Sequence, residues 1–225
     1  MAALEWDKVG ERFYENGVDH CALYPQDSTG TYPKGVAWNG ITGITESPDG
    51  AEANDIYADN IKYGSLRSTE TLGLTIEAYT YPDEFAILDG TASPVKGVYL
   101  GQQKRASFGL AYRTQIGNDT STEEDDGYKL HLVYGCTASP SERAYETIND
   151  SPDAISFSWE IDTTPVAVKG FKALSNITIS SLDCDKDKLA ALEKILFGSA
   201  DAESGTPRLP LPDEVLTTLG YTASA

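Results

Sequence analysis

Only a few residues have the types and spacing that could do chemistry. Asp183, Asp185 and Asp187 recur at alternate positions, the spacing with which a calcium loop turns carboxylate oxygens toward one cation. The match breaks further on. Lys188 stands where the loop needs glycine for its sharp turn, and Lys194 where it needs a bidentate Glu. Helix capping accounts better for these acids, since Asp at a helix start meets the positive end of the dipole. The only imidazoles are His20 and His131. His20 adjoins Cys21, but no further ligand is spaced to complete a tetrahedral metal set. His131 lies between Leu130 and Leu132 on a strand pattern, which makes it a polar-face residue rather than a general base. Glu123, Glu124, Asp125 and Asp126 read as a solvated loop tip, because consecutive carboxylates rarely converge on an ion without other ligands.

The sequence contains no Gly-x-Ser-x-Gly elbow, no His-Glu-x-x-His, no phosphate-cradling Gly-x-x-x-x-Gly-Lys and no Gly-x-Gly-x-x-Gly after a strand. No catalytic, cofactor-binding or metal-ligating residue is assigned, and the chain does not read as an enzyme. A glycosidase, whose two carboxylates meet only through folding, remains open as an alternative.

The 225 residues carry a formal charge of −18. Proteins that neutralise phosphates carry basic patches, so nucleic acid is an unsuitable ligand. The same excess suits a surface past which a polyanion slides without sticking. Cys21, Cys136 and Cys184 are an odd set at wide spacing and read as free, buried thiols. Glu5, Trp6, Asp7 and Lys8 stand where a signal peptide needs an apolar run, and no stretch is apolar enough to span a bilayer. The expectation is folding in a reducing cytoplasm, without membrane insertion.

The elements that must position these residues are mostly strands. Leu72, Leu74, Ile76 and Ala78 alternate with Thr71, Gly73, Thr75 and Glu77. Between Ala154 and Asp162, Ile155, Phe157, Trp159 and Ile161 alternate with Ser156, Ser158, Glu160 and Asp162. Leu72, Leu74, Ile76, Phe157 and Trp159 are therefore core, and Glu77, Glu160 and Asp162 lie on the opposite, polar faces. Further strands are expected over Val18 to Tyr24 and Gly35 to Ile44, which could pair as a hairpin, and near Val98 to Leu100, Ala106 to Thr114, Tyr128 to Tyr134 and Ile177 to Ser180. Ser47 to Tyr63 reads as a long excursion, and Gln115 to Gly127 as a loop joining two strands that could pair. Pro82 to Gly90 has the punctuation of a short helix, and Asp185 caps an amphipathic one over Lys186 to Phe197. A last short helix starts beside Pro212 and ends at Gly220. The fold class is mainly β, a sandwich or barrel with a short packed helix. Residues 1–182 form the β domain, and 183–225 form a helical segment packed on it.

Several blocks resemble, in order, the major tail proteins of long non-contractile-tailed bacteriophages. They are Ile56-Tyr-Ala-Asp-Asn, Tyr79 through Gly90, Phe108-Gly-Leu-Ala-Tyr-Arg-Thr-Gln-Ile-Gly-Asn-Asp, Tyr128-Lys-Leu-His-Leu-Val-Tyr-Gly, Tyr145-Glu-Thr-Ile-Asn-Asp-Ser-Pro, Phe157-Ser-Trp-Glu, Thr163-Thr-Pro-Val, Leu189-Ala-Ala-Leu-Glu-Lys-Ile-Leu and Leu209-Pro-Leu-Pro-Asp-Glu-Val. The resemblance implies a tail-tube-type β-sandwich that assembles as stacked hexameric rings in the virion tail, built in the host cytoplasm. It also implies a tape measure protein in the lumen, tail terminator and tail-tip proteins at the ends, and transient passage of DNA. On that basis Glu77, Glu160 and Asp162 are candidates for the lumen wall, with the tube exterior as the other placement. Asp49, Asp55, Tyr57, Asp59 and Glu123 to Asp126 are candidates for contacts between subunits. A ligand- or carbohydrate-binding β-sandwich, with Trp6, Trp38 and Tyr32 as a sugar platform, is the alternative from another class.

Overall fold

A computed structural model describes residues 4–50, 52–120, 127–145, 147, 154–199 and 205–221. The alternation at Leu72 to Ala78 forms β6 (Thr71–Ala78), in which Leu72, Leu74, Ile76 and Ala78 are buried. It pairs antiparallel with β11 (Phe157–Thr163), placing Trp159 opposite Ile76 and Ile161 opposite Leu74. Register follows from the pattern, since a slip of one residue would turn every apolar side chain to the polar face.

These strands belong to one antiparallel sheet in the order β2-β1-β9-β10-β11-β6-β3. The other members are β1 (Phe13–Pro25), β2 (Val36–Ala37), β3 (Ile41–Asp49), β9 (Phe108–Asn118) and β10 (Gly127–Ala138). β10 changes partner along its length, pairing β12 (Asn176–Ser180) through Lys129 to Val133 and β11 through Cys136 to Ala138. Gly135 sits at the change with φ +62, and a Cβ there would lie 2.2 Å from the Thr164 carbonyl oxygen. Only glycine lets the strand bulge this close to its neighbour.

The sheet is mainly β structure curled over its own core, with apolar residues on both faces of its first half. Inside the curl, Leu23, Trp38, Leu74, Ile76, Leu110 and Trp159 pack with Phe85 and Leu88 of α1 (Asp83–Leu88). The indole of Trp159 is 1% exposed and meets Tyr81, Phe85 and Trp38 edge-on at 5.5, 5.2 and 5.6 Å. On the outer face, Tyr24, Ala111, Leu130, Leu132 and Tyr134 are covered by Leu189, Leu192 and Leu196 of α2 (Lys186–Phe197). Val215 of α3 (Pro212–Thr218) and Leu209 complete that layer. Asp185 caps α2 as the sequence implies, accepting from the Asp187 and Lys188 amides at 3.1 Å each.

Several boundaries differ from the sequence expectation. Gly35 to Ile44 is not one strand: β2 pairs β1 as expected, then Trp38 turns into the core, Gly40 adopts φ +80, and β3 crosses to pair β6. The strand expected over Ala154 to Asp162 begins only at Phe157, so Ile155 lies outside it and is exposed, while Phe157 is half-buried rather than fully core. The excursion at Ser47 to Tyr63, apart from residue 51, which is outside the described residues, is built mostly of strand. β3 runs on to Asp49, and β4 (Ala53–Ala58) pairs β5 (Ile61–Arg67) as a separate two-stranded sheet. A second such hairpin, β7 (Ala92–Val95) with β8 (Val98–Leu100), contains the short strand expected near Val98.

Candidate self-assembly surfaces

His131 does not lie on a solvated face. Its ring stacks on Tyr112 at 4.8 Å and 7°, with Nε2 3.0 Å from Thr114 Oγ1 and Nδ1 3.4 Å from Thr178 Oγ1. The Tyr112 hydroxyl donates to Glu46, whose carboxylate is 3.5 Å from His131 Nδ1. The hydrogen bond from His131, and then that from Tyr112, hold the Glu46 carboxyl below its ordinary value. This group ties β3, β9, β10 and β12 together, and both ring nitrogens are already engaged. It is a clasp between strands rather than a base facing a substrate.

His20 contacts Asp19, 2.8 Å away, and the ring of Phe197 at 6.3 Å. Cys21 and Cys136 are buried free thiols and Cys184 is half-buried; burial pushes Cys21 up to about 12. Among the described residues no three of His, Cys, Asp and Glu converge as metal ligands would.

A cavity of about 650 Å³ lies between β1, β9 and α2, lined in part by Asp19, His20, Arg113, Gln115, Tyr128 and Glu193. Several of its polar groups bond one another: Gln115 donates to Asp19 at 3.1 Å, and Arg113 and Tyr128 donate to Glu193 at 2.6 and 2.7 Å, while the buried Arg113 Nε has no hydrogen-bond partner among the described residues. The three rings considered as a sugar platform are not one surface. Trp38 and Tyr32 are each 2% exposed, and only Trp6 reaches solvent. The apolar area of Trp38 and Tyr32 is consumed by the core, where the Trp38 indole donates to the Thr80 carbonyl and the Tyr32 hydroxyl accepts from the Gln26 side chain and the Gly135 amide.

Glu77, Glu160 and Asp162 do share one face. Glu77 is opposite Ser158 on β11 and Gly43 on β3, Glu160 opposite Thr75, and Asp162 opposite Gly73. All three acids are exposed, and none forms an ion pair with a described residue. Strands β3, β6 and β11 contain no Lys, Arg or His. The outer face of this half of the sheet, which neither core cluster's helices cover, is polar, acidic and built largely of Gly, Ser and Thr.

The other candidates lie on the β4–β5 arm. Asp49 ends β3; Asp55 pairs with Lys62 at 2.8 Å, and that bond, with one from Ser65, holds its carboxyl low. Asp59 and Asn60 form the turn at φ +51 and +63, the left-handed pair of a type I′ hairpin. Tyr57 is exposed, as are Ile56, Ile61, Tyr63 and Leu66. Glu123 to Asp126 lie outside the described residues, and Gln115 to Asn118, expected in that loop, continue β9.

Sequence reading placed the strand at Val98 to Leu100 but missed β7 and its pairing with β8, a hairpin that leaves Val95, Val98, Tyr99 and Leu100 exposed. Its signal was Val95 and Val98 flanking Lys96-Gly97, a two-residue turn ending in glycine. A third exposed apolar stretch, with Leu4, Trp6, Val9, Phe13 and Tyr14, leads into β1. No helix among the described residues is long and apolar enough to cross a membrane. Scans of the chain against protein-family models and against curated proteins find no match.

Proposed function

We propose that the chain is a structural subunit that polymerises as stacked hexameric rings into a bacteriophage tail tube, through which DNA is delivered. The β4–β5 arm carries this proposal. A lone two-stranded hairpin is marginal in water at best, yet this one holds Ile56, Tyr57, Ile61, Tyr63 and Leu66 in exposed positions with no core of its own. Such a hairpin is stabilised when a second copy covers it. The ordered blocks that resemble major tail proteins narrow self-association to a tube, and the acidic face of β3, β6 and β11 suits the wall of a DNA conduit. Tape measure, terminator and tip proteins are the partners this role requires.

Sedimentation and negative-stain imaging over a range of concentrations test the proposal. The expected result is a species of hexamer mass that grows into tubes as concentration rises. A strictly monomeric protein at high concentration, with no tubes on the grid, overturns it.

A further inference from the structure

We propose that the β4–β5 arm of one copy docks on the β7–β8 hairpin of a neighbouring copy, acid against base around an apolar seam; this rests on the self-assembly proposed above. The two hairpins are alike in form and opposite in charge. Between Asp49 and Glu70 the chain carries five acids, Asp49, Glu52, Asp55, Asp59 and Glu70, against Lys62 and Arg67. From Gly90 to Asn118 it carries no acid and four bases, Lys96, Lys104, Arg105 and Arg113. In a chain of charge −18 that gap stands out.

Two of the four bases are committed elsewhere. Arg105 is 3.7 Å from Asp89, and Arg113 is bonded to Glu193. Lys96, at the β7–β8 turn, and Lys104, just beyond β8, form no ion pair with a described residue. They flank Val95, Val98, Tyr99 and Leu100, all exposed, as Glu52, Asp59 and Glu70 flank the exposed apolar residues of the arm. Each hairpin thus has an apolar centre rimmed by charge, the anatomy of a protein interface, and the net acidic rim of the arm complements the wholly basic rim of the β7–β8 hairpin.

The contact joins two different patches of identical chains, so it is heterologous and propagates from copy to copy. Complementary rims also fix register and speed encounter, which a long polymer needs at every joint.

Charge reversal tests the contact in the full chain. One variant combines Lys96→Glu with Lys104→Glu, and the other combines Glu52→Lys with Glu70→Lys. Asp59 is left in place because its left-handed backbone favours Asp. Each variant alone sets like charge against like, so its critical concentration for assembly should rise about tenfold or more. An equimolar mixture should recover near wild-type assembly, since the acidic arm of one variant meets the basic hairpin of the other, and the reverse. Thermal unfolding of each unassembled variant shows whether its fold is intact. If both variants assemble alone like wild type, or if the mixture stays as impaired as its components, the contact is overturned and the tube proposal stands. Wild-type protein that never self-associates overturns both.

Discussion

The guanidinium of Arg113 on β9 and the carboxylate of Glu193 on α2 meet at 2.6 Å, and the pair ties the helical segment to the sheet. The Tyr128 hydroxyl donates to the same Glu193 oxygen at 2.7 Å, while the Arg113 guanidinium lies 4.4 Å from the Tyr128 ring centroid and 5.3 Å from that of Phe197. Burial, and then the bond to Glu193, push the Tyr128 hydroxyl up to about 12. One charge is thus shared by a carboxylate and two aromatic faces where the outer core layer reaches solvent.

The Arg113 and Glu193 side chains are 18% and 21% exposed, between a surface pair and a buried one. Arg113→Ala or Glu193→Gln should each cost about 1–3 kcal/mol, more than an exposed pair and less than a fully buried one. Arg113→Lys keeps the charge but loses the planar stack, so it should rescue only part of the loss. A double-mutant cycle followed by urea unfolding measures the coupling. Simple additivity of the two changes would show that the pair does not clamp α2.

Trp159 and Glu160 are chain neighbours that face opposite ways. Trp159→Ala removes a ring packed against four others, Trp38, Tyr81, Phe85 and Phe157, and should cost about 3–5 kcal/mol. Glu160→Ala, on the exposed face, should stay within about 0.5 kcal/mol. Equilibrium unfolding of the two variants reads the difference, and equal effects would mean the strand faces are assigned the wrong way round.

What the sequence revealed, and what it hid, follow from the same physics. Period-two alternation made β6 and β11 legible because one face of each is buried and the other is not. The same rule put His131 on the polar face opposite Leu130 and Leu132, where it lies, but did not show that this face is itself covered: Leu130 and Leu132 pack under α2, and Val133 packs inside the curl. Alternation then separates two interiors rather than inside from outside. The β4–β5 arm reads as a loop because burial does not pattern it. Its only local sign was Asp59-Asn60, a turn pair that takes left-handed backbone readily. The polar faces of Glu77, Glu160 and Asp162 were legible singly, but their meeting on one surface depended on β11, β6 and β3 being neighbours, which no local pattern encodes.

Glu46 couples stability to acid. Its carboxyl is held below the ordinary value by His131 and Tyr112, so the folded state binds its proton less readily than the unfolded chain does. The resulting stability is fully present above the unfolded value of about 4.5 and is lost as pH falls through the lower folded value. Glu46→Gln removes this dependence. Its unfolding free energy should be lower than wild type at neutral pH, and the gap should close on acidification below about 4.5. Parallel stability curves for the two proteins across that window would rule the coupling out.

Removing the arm should separate folding from assembly. None of the residues of β4 or β5 belongs to either core cluster, so replacing residues 52–68 with a short turn should leave the thermal midpoint of the subunit little changed. Tubes should no longer form, because the covering contact for Ile56, Tyr57 and Tyr63 is gone. If tubes still form at wild-type concentration, the arm is decoration; if the subunit unfolds, it supports the fold in a way its exposure does not reveal.

The acidic face of β3, β6 and β11 leads to the last prediction. If that face lines the channel, a hexamer repeats Glu77, Glu160 and Asp162 around the wall, and no base on these strands offsets them. A polyanion passing such a wall is repelled and does not adhere. Replacing all three with Lys reverses the sign at exposed positions that are outside the core, so assembly should persist. DNA ejection from virions carrying this tube should slow or stall, and most at low salt, where phosphate attraction is least screened. Raising ionic strength should restore ejection, which separates an electrostatic brake from a blocked or collapsed channel. Normal ejection at low salt would move these three residues to the tube exterior, where their charge would serve solubility and leave the lumen to another face.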